Sequence, residues 1–140
     1  MAIQSFRDLD VWKVSMDLTI SLYEIVRRLP PEERFELASQ MRRAAVSVPS
    51  NVAEGHATDL RRRYRNHVRI ALGSVGDLST CIEICRRLHY IDQSTADRLQ
   101  KDLARTRQLL HGVLRDLARQ LAKKATTTLI VLASLLWWTS

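Results

Sequence analysis

The sequence predicts an all-α chain folded as an antiparallel, up-down four-helix bundle. Three observations carry this. Apolar residues recur at helical spacing in four successive segments. The 140 residues include only four glycines and three prolines, too few for the turn every ~8–12 residues that a β-sandwich or barrel needs. No alternating strand pattern occurs before residue 125. The length suits one domain with its own core. A hydrophobic content of 46 % argues against disorder.

The first helix is expected from about Asp8 to Leu29. Trp12, Met16, Tyr23 and Val26 share one face, and Leu18, Leu22, Ile25 and Leu29 form a second row. Two apolar rows place the helix against more than one neighbour. Pro30-Pro31 ends it, because proline disfavours helical geometry in the residue before it. Pro31-Glu32-Glu33 then reads as a helix start, with acidic groups complementing the dipole. The second helix is expected from about Glu32 to His56, burying Leu37, Met41, Ala44, Ala45 and Val48. Pro49 removes a backbone hydrogen bond, so a kink is expected near Val46–Pro49. Gly55 reads as the terminator.

The third helix is expected from Thr58 or Asp59, as cap, to about Leu88. Its core stripe is Tyr64, Val68, Ala71, Leu72, Val75, Ser79 and Ile82. Ile70, Cys81, Ile84 and Leu88 form a second apolar surface. Gly73 and Gly76 each cost ~1 kcal/mol relative to Ala, so close helix-helix approach is expected there. The fourth helix is expected from Asp92 or Ser94 to Lys124. Leu99, Leu103, Leu110, Val113, Leu114, Leu117 and Leu121 hold a heptad-like seam. Residues 1–124 then make the bundle domain and residues 125–140 an apolar tail.

Charge is unevenly spread. Residues 1–58 hold seven basic and eight acidic side chains, and residues 59–140 hold fifteen basic and seven acidic. The whole chain carries +7, with arginine supplying eighteen of its 22 basic residues. Arginine favours bidentate phosphate contacts, so a polyanion is the default partner. The strongest feature is Arg61-Arg62-Arg63-Tyr64-Arg65-Asn66-His67-Val68-Arg69. Arg62, Arg65 and Arg69 share one face, in opening turns where cations oppose the helix dipole. Phosphate binding is the chemistry that would select them. Arg98, Lys101, Arg105, Arg115 and Arg119 form a second basic track opposite the seam of helix four. The competing readings are a solvated basic face and arginines paired with carboxylates of a neighbouring subunit.

Little else nominates itself. No Gly-rich phosphate loop, G-x-S-x-G, H-E-x-x-H or C-x-x-C occurs, so no enzyme and no cofactor is expected. Cys81, Cys85 and His89 share a helix face, but a structural zinc site needs four ligands and no second pair is identifiable. An i, i+4 pair on a helix lacks disulfide geometry. Glu24, Glu54 and Glu83 fall on three helices without the Glu-x-x-His pairs of di-iron bundles, and Glu54 is expected to pair with an arginine. Met1 to Asp10 lacks a secretory h-region, and two cysteines suggest a reducing, cytoplasmic setting. The apolar run Leu129–Trp138 is half the ~20 residues a membrane span needs. Packing on the bundle or a neighbouring subunit is its expected role, ahead of insertion into a partner protein. A membrane interface, with Lys123, Lys124 and two tryptophans, is the least expected.

One stretch is familiar. Phe6-x-x-Leu9-x-x-Trp12, Leu29-Pro30-Pro31-Glu32-Glu33-x-Phe35-x-Leu37 and Gln40-x-Arg42-Arg43-Ala44-Ala45-x-Ser47-Val48-Pro49-x-Asn51-x-Ala53-Glu54-Gly55 resemble the bacterial four-helix bundle proteins first noticed inside 23S rRNA intervening sequences. The likeness continues through Ile70-Ala71-x-Gly73-Ser74 and Leu88-His89-Tyr90-Ile91, and covers about residues 5–120. These proteins are similar in fold to the accessory variability determinants of diversity-generating retroelements. The resemblance implies a ring-like homopentamer with a basic surface, no enzymatic activity, nucleic acid (RNA or DNA) as partner and a reverse transcriptase as a second one. Gly76, Asp77 and the tail after residue 125 depart from the family pattern.

Overall fold

The computed structural model describes residues 4–138, with the backbone alone at Trp138. Four long helices account for most of it: α1 (Asp10–Val26), α2 (Leu37–Ala57), α3 (Arg61–Arg87) and α4 (Gln93–Trp138). No strand occurs among the described residues. Each helix packs on the next, and α4 returns to α1, so the four close into a bundle. Ser47–Ser74 and Asn51–His67 hydrogen bonds run α2 antiparallel to α3. Arg61–Gln120, Ser79–Gln100 and Arg86–Gln93 do the same for α3 and α4.

The core follows the apolar rows. Leu18, Leu22, Ile25 and Leu29 are all buried, whereas the Trp12 row is half-buried except for Val26. Met41, Val48, Val68, Val75, Leu78, Ile82, Leu99, Leu103 and Leu110 are among the largest fully enclosed side chains. Removing such a side chain from water is worth ~1.5–3 kcal/mol.

Helix starts depart from expectation in informative ways. Pro31–Glu33 forms a separate 3-10 turn rather than the head of α2. The chain breaks at Glu36 (φ −106°, ψ −105°), and α2 begins at Leu37. Glu33 still serves that start: its Oε2 accepts from the Leu37 amide at 3.3 Å, and its Oε1 accepts from Tyr90 Oη at 3.0 Å. At α3 neither Thr58 nor Asp59 is the cap. Leu60 holds that position without a side-chain hydrogen bond, and Thr58 Oγ1 accepts from the Leu60 amide. Asp92 does cap α4, accepting from the Thr95 amide at 2.7 Å. Ser5 and Asp8 make a reciprocal capping box on a 3-10 turn (Phe6–Asp8) that precedes α1.

The helix α2 runs unbroken through the buried Pro49. Two glycine expectations are reversed. Gly73 and Gly76 meet nothing within 4 Å of where a Cβ would stand, so no neighbour in the chain explains them. Gly55, read as a terminator, lies inside α2 against the Tyr64 ring.

The largest departure is α4. It spans 46 residues, roughly 70 Å at 1.5 Å per residue, and continues straight through Lys124. From Ala122 onward every described side chain is exposed. The tail therefore does not pack on its own bundle, as one of its expected roles required. Among the described residues, α3 begins at Arg61, at the level of Gln120, so little of the bundle lies beside α4 past Lys124.

Candidate nucleic-acid interface

The turn Thr58–Leu60 delivers the chain into α3 with no side chain serving its first amides. Arg61, Arg62, Arg63 and Arg65 follow at once, so uncapped amides and guanidinium groups crowd one end of the bundle. Arg61 is half-buried, and its Nε donates to Gln120 Oε1 at 2.6 Å, clamping α3 to α4. Arg62, Arg63 and Arg69 are exposed. Arg65 is half-buried, and its Nε is an enclosed donor with no hydrogen-bond partner among the described residues. Among those residues, no carboxylate lies within ion-pair distance of any of these five arginines.

A groove of about 240 Å³ runs beside them, with Leu60 and Leu121 in its wall and Arg61, Arg62, Arg63 and Lys124 around it. Among the described residues, Asp59 is the only acidic side chain lining it. On the other side of Arg61 a cleft of about 390 Å³ opens between Leu9, His56, Tyr64, Asp116 and Leu117. Sequence reasoning missed Lys124 as a member of this constellation. It falls one heptad after the buried Leu117, so periodicity alone assigns it to the seam. Only the end of the bundle turns it into a groove residue.

The second track divides. Arg98, Lys101, Arg105, Arg115 and Arg119 are all exposed. Arg98 Nη1 lies 3.9 Å from Asp102 Oδ2, and Arg119 Nη1 lies 3.4 Å from Asp116 Oδ1. Two of the five are thus partly compensated within the chain. The antiparallel register places Arg115 and Arg119 at the level of Arg61 and Arg65, and Arg98 and Lys101 at the level of Ser79. The structure brings two of the five to the α3 head and leaves Arg98, Lys101 and Arg105 further along the bundle.

The remaining candidates resolve differently. Glu54 does not pair with an arginine: its Oε2 lies 3.6 Å from His67 Nδ1, which is also 3.0 Å from Asn51 Oδ1. Asn51 Nδ2 donates to Ser47, so its oxygen is the atom that faces the imidazole. Cys81 and Cys85 are free and buried, and Cys85 Sγ lies 3.8 Å from Met41 Sδ. Burial pushes the Cys85 thiol up to about 11, with Cys81 and Glu33 adding to the rise. A thiol so held is protonated and unreactive at neutral pH. His89 is exposed just past the end of α3.

A family model described as 23S rRNA-intervening sequence protein matches residues 7–112. The chain belongs to that family. Its residues 113–138, including Arg115, Arg119, Lys124 and the whole exposed end of α4, lie beyond the matched span of the 23S rRNA-intervening sequence proteins. No curated protein matches the chain. A crystal structure of a protein with unknown function from the S23 ribosomal protein family, from Bacteroides thetaiotaomicron VPI-5482, is similar, with a TM-score of 0.70 and 21 % identity. The match covers 75 % of this chain and 95 % of that one. At that identity the likeness shows the shared helical fold.

Proposed function

We propose that this 23S rRNA-intervening sequence protein binds RNA or DNA without catalysing a reaction, through phosphate contacts at the head of α3. The observation that carries the reading is the set Arg62, Arg63, Arg65 and Arg69, cationic and without carboxylate partners among the described residues. Arg61 and Lys124 extend it along the groove, and Arg115 and Arg119 lie at the same level. Lys101, Arg105 and Arg98 form a separate, weaker patch. The family's description names 23S rRNA, which makes RNA the first ligand to try. The finer reading, from the resemblance, is a cytoplasmic accessory of a reverse transcriptase or RNA-borne element, assembled as a ring-like homopentamer. The test is replacement of Arg62, Arg65 and Arg69 by Gln, followed by RNA binding over a range of salt. Unchanged affinity and salt slope in a folded variant would remove the assignment.

A second reading is a structural scaffold. Its support is the outer side of α3, where Ile70 and Ile84 are 46 % and 39 % exposed and Gly73 and Gly76 face open space. Such a face suits a second copy of the chain. The two readings separate on whether purified protein carries nucleic-acid absorbance that high salt removes.

A further inference from the structure

We propose that the distal part of α4, residues 125–138, is a lipid anchor that enters one leaflet of an anionic bilayer, with the preceding basic turns at the headgroups. The sequence alone ranks a membrane contact last for this segment. Exposure reverses that order. Leu129, Ile130, Val131 and Leu132 are 67 %, 63 %, 50 % and 52 % exposed, and Trp137 is 89 % exposed. Four consecutive residues, about 100° apart, point to every side of a helix. A partner helix covers one stripe and leaves the other sides wet. Acyl chains surround the whole circumference, and a helix apolar all round is suited to that medium.

The polar atoms of the segment agree. Thr126, Thr127 and Thr128 each donate their hydroxyl to the carbonyl four residues back, at 3.1, 3.0 and 2.9 Å. Ser134 donates to Val131 O at 2.8 Å. These four hydroxyl protons need no water, and up to its last turn the helix satisfies its own backbone, the condition for entering hydrocarbon. No charged residue occurs from Ala125 to Trp138, whereas Lys123, Lys124, Arg119 and Arg115 stand on the turns before it. That collar complements anionic headgroups. Fourteen residues rise roughly 21 Å. This is longer than one leaflet, which is half of a hydrocarbon core about 30 Å thick, and too short to cross the whole core. A tilt of about 45° brings its depth to about 15 Å. No helix among the described residues is long and apolar enough to cross a membrane, so the segment is placed obliquely within one leaflet rather than across the bilayer.

The test uses the full chain, treated with nuclease, floated with vesicles of phosphatidylcholine alone or mixed with phosphatidylglycerol. The protein is expected to float with the mixed vesicles. Ile130→Glu/Leu132→Glu is expected to lower the floated fraction about tenfold, with the helical spectrum unchanged. Lys123→Gln/Lys124→Gln is expected to lower it less, and to remove its salt dependence. Absence of wild-type flotation overturns the proposal. So does flotation that survives Ile130→Glu/Leu132→Glu, or a tail that only changes the particle mass in light scattering, which assigns the segment to self-association. The apolar variant leaves every arginine in place, so RNA binding by that variant keeps this proposal separable from the nucleic-acid reading.

Discussion

Thr19 Oγ1 on α1 lies 2.9 Å from Ala45 O on α2, the carbonyl that Pro49 cannot serve. In a regular helix the amide at 49 would donate to the carbonyl at 45; proline has none. The same hydroxyl lies 2.8 Å from Ser15 O, so its single proton is shared between two acceptors. Both Thr19 and Ala45 are buried. Thr19→Val keeps the shape and strands the carbonyl, and is expected to cost about 1–3 kcal/mol. In a Pro49→Ala background the backbone amide returns and the cost of Thr19→Val is expected to shrink. A double-mutant cycle by chemical denaturation measures that coupling, and an additive cycle would show the hydroxyl serves another role.

Gly55 is required by contact rather than by conformation. A Cβ there would come within 2.9 Å of Tyr64 Cε2 and 3.1 Å of His67 Cβ. Gly55→Ala is expected to destabilise the fold by about 1–3 kcal/mol, despite better helix propensity. Trimming the ring with Tyr64→Leu is expected to recover part of the loss in thermal melts.

Glu83 titrates well below an ordinary carboxylate. Hydrogen bonds from Arg86, at 2.7 and 2.9 Å, and from Arg87, at 2.8 Å, hold its pKa at about 2 rather than 4.5. A lowered folded-state value means stabilisation that is complete above pH 4.5 and is lost as pH falls towards 2. Glu83→Gln is therefore expected to melt below the wild type at neutral pH and to converge with it in strong acid. Parallel melting curves across that window would show that the triad contributes nothing to folding.

His89 occupies the left-handed region at φ 60°. It follows the last turn of α3, where the Tyr90 amide reaches back to Cys85 O at 2.8 Å and closes the helix end. A side chain in that region costs roughly 1–2 kcal/mol, and glycine avoids the penalty. His89→Gly is expected to raise the melting temperature by a few degrees, with net stabilisation of about 0.5–1 kcal/mol. An unchanged or lower value would show that the imidazole makes a compensating contribution.

For the nucleic-acid reading, the triple variant Arg62→Gln/Arg65→Gln/Arg69→Gln is expected to bind RNA more weakly. Each single-strand phosphate that a cation no longer neutralises flattens the slope of log affinity against log salt by ~0.7, so three such changes make it shallower by about 2. Arg98→Gln/Lys101→Gln, at the other end of the bundle, is expected to change that slope by less. Equal effects at both ends would describe a diffuse basic surface without a site.

The four helices were legible because their periodicity is a local property. Leu18, Leu22, Leu99 and Leu103 repeat at helical spacing whatever they pack against. The basic run at Arg61–Arg69 was equally plain, since charge is read directly from composition. Helix starts were less legible. Thr58, Asp59 and Glu32 are all good cap types, and which backbone conformation prevails depends on what the following turn packs against. Glycine roles were misread for the same reason. Nothing local distinguishes Gly55, pressed by a ring from another helix, from Gly73 and Gly76, where a Cβ would meet open space among the described residues.

By itself the sequence determined the helical class, the core rows and the place of the excess charge, all of which follow from side-chain type and spacing along one chain. Only the tertiary structure decided which charges have partners. It paired Glu54 with His67 and Arg119 with Asp116, left Arg62 and Arg69 without carboxylate partners among the described residues, and drew Lys124 to the groove. It also carried the apolar end of α4 past the point where the bundle stops. Pairing and exposure depend on distances between helices, and those are set when the four faces close on one another.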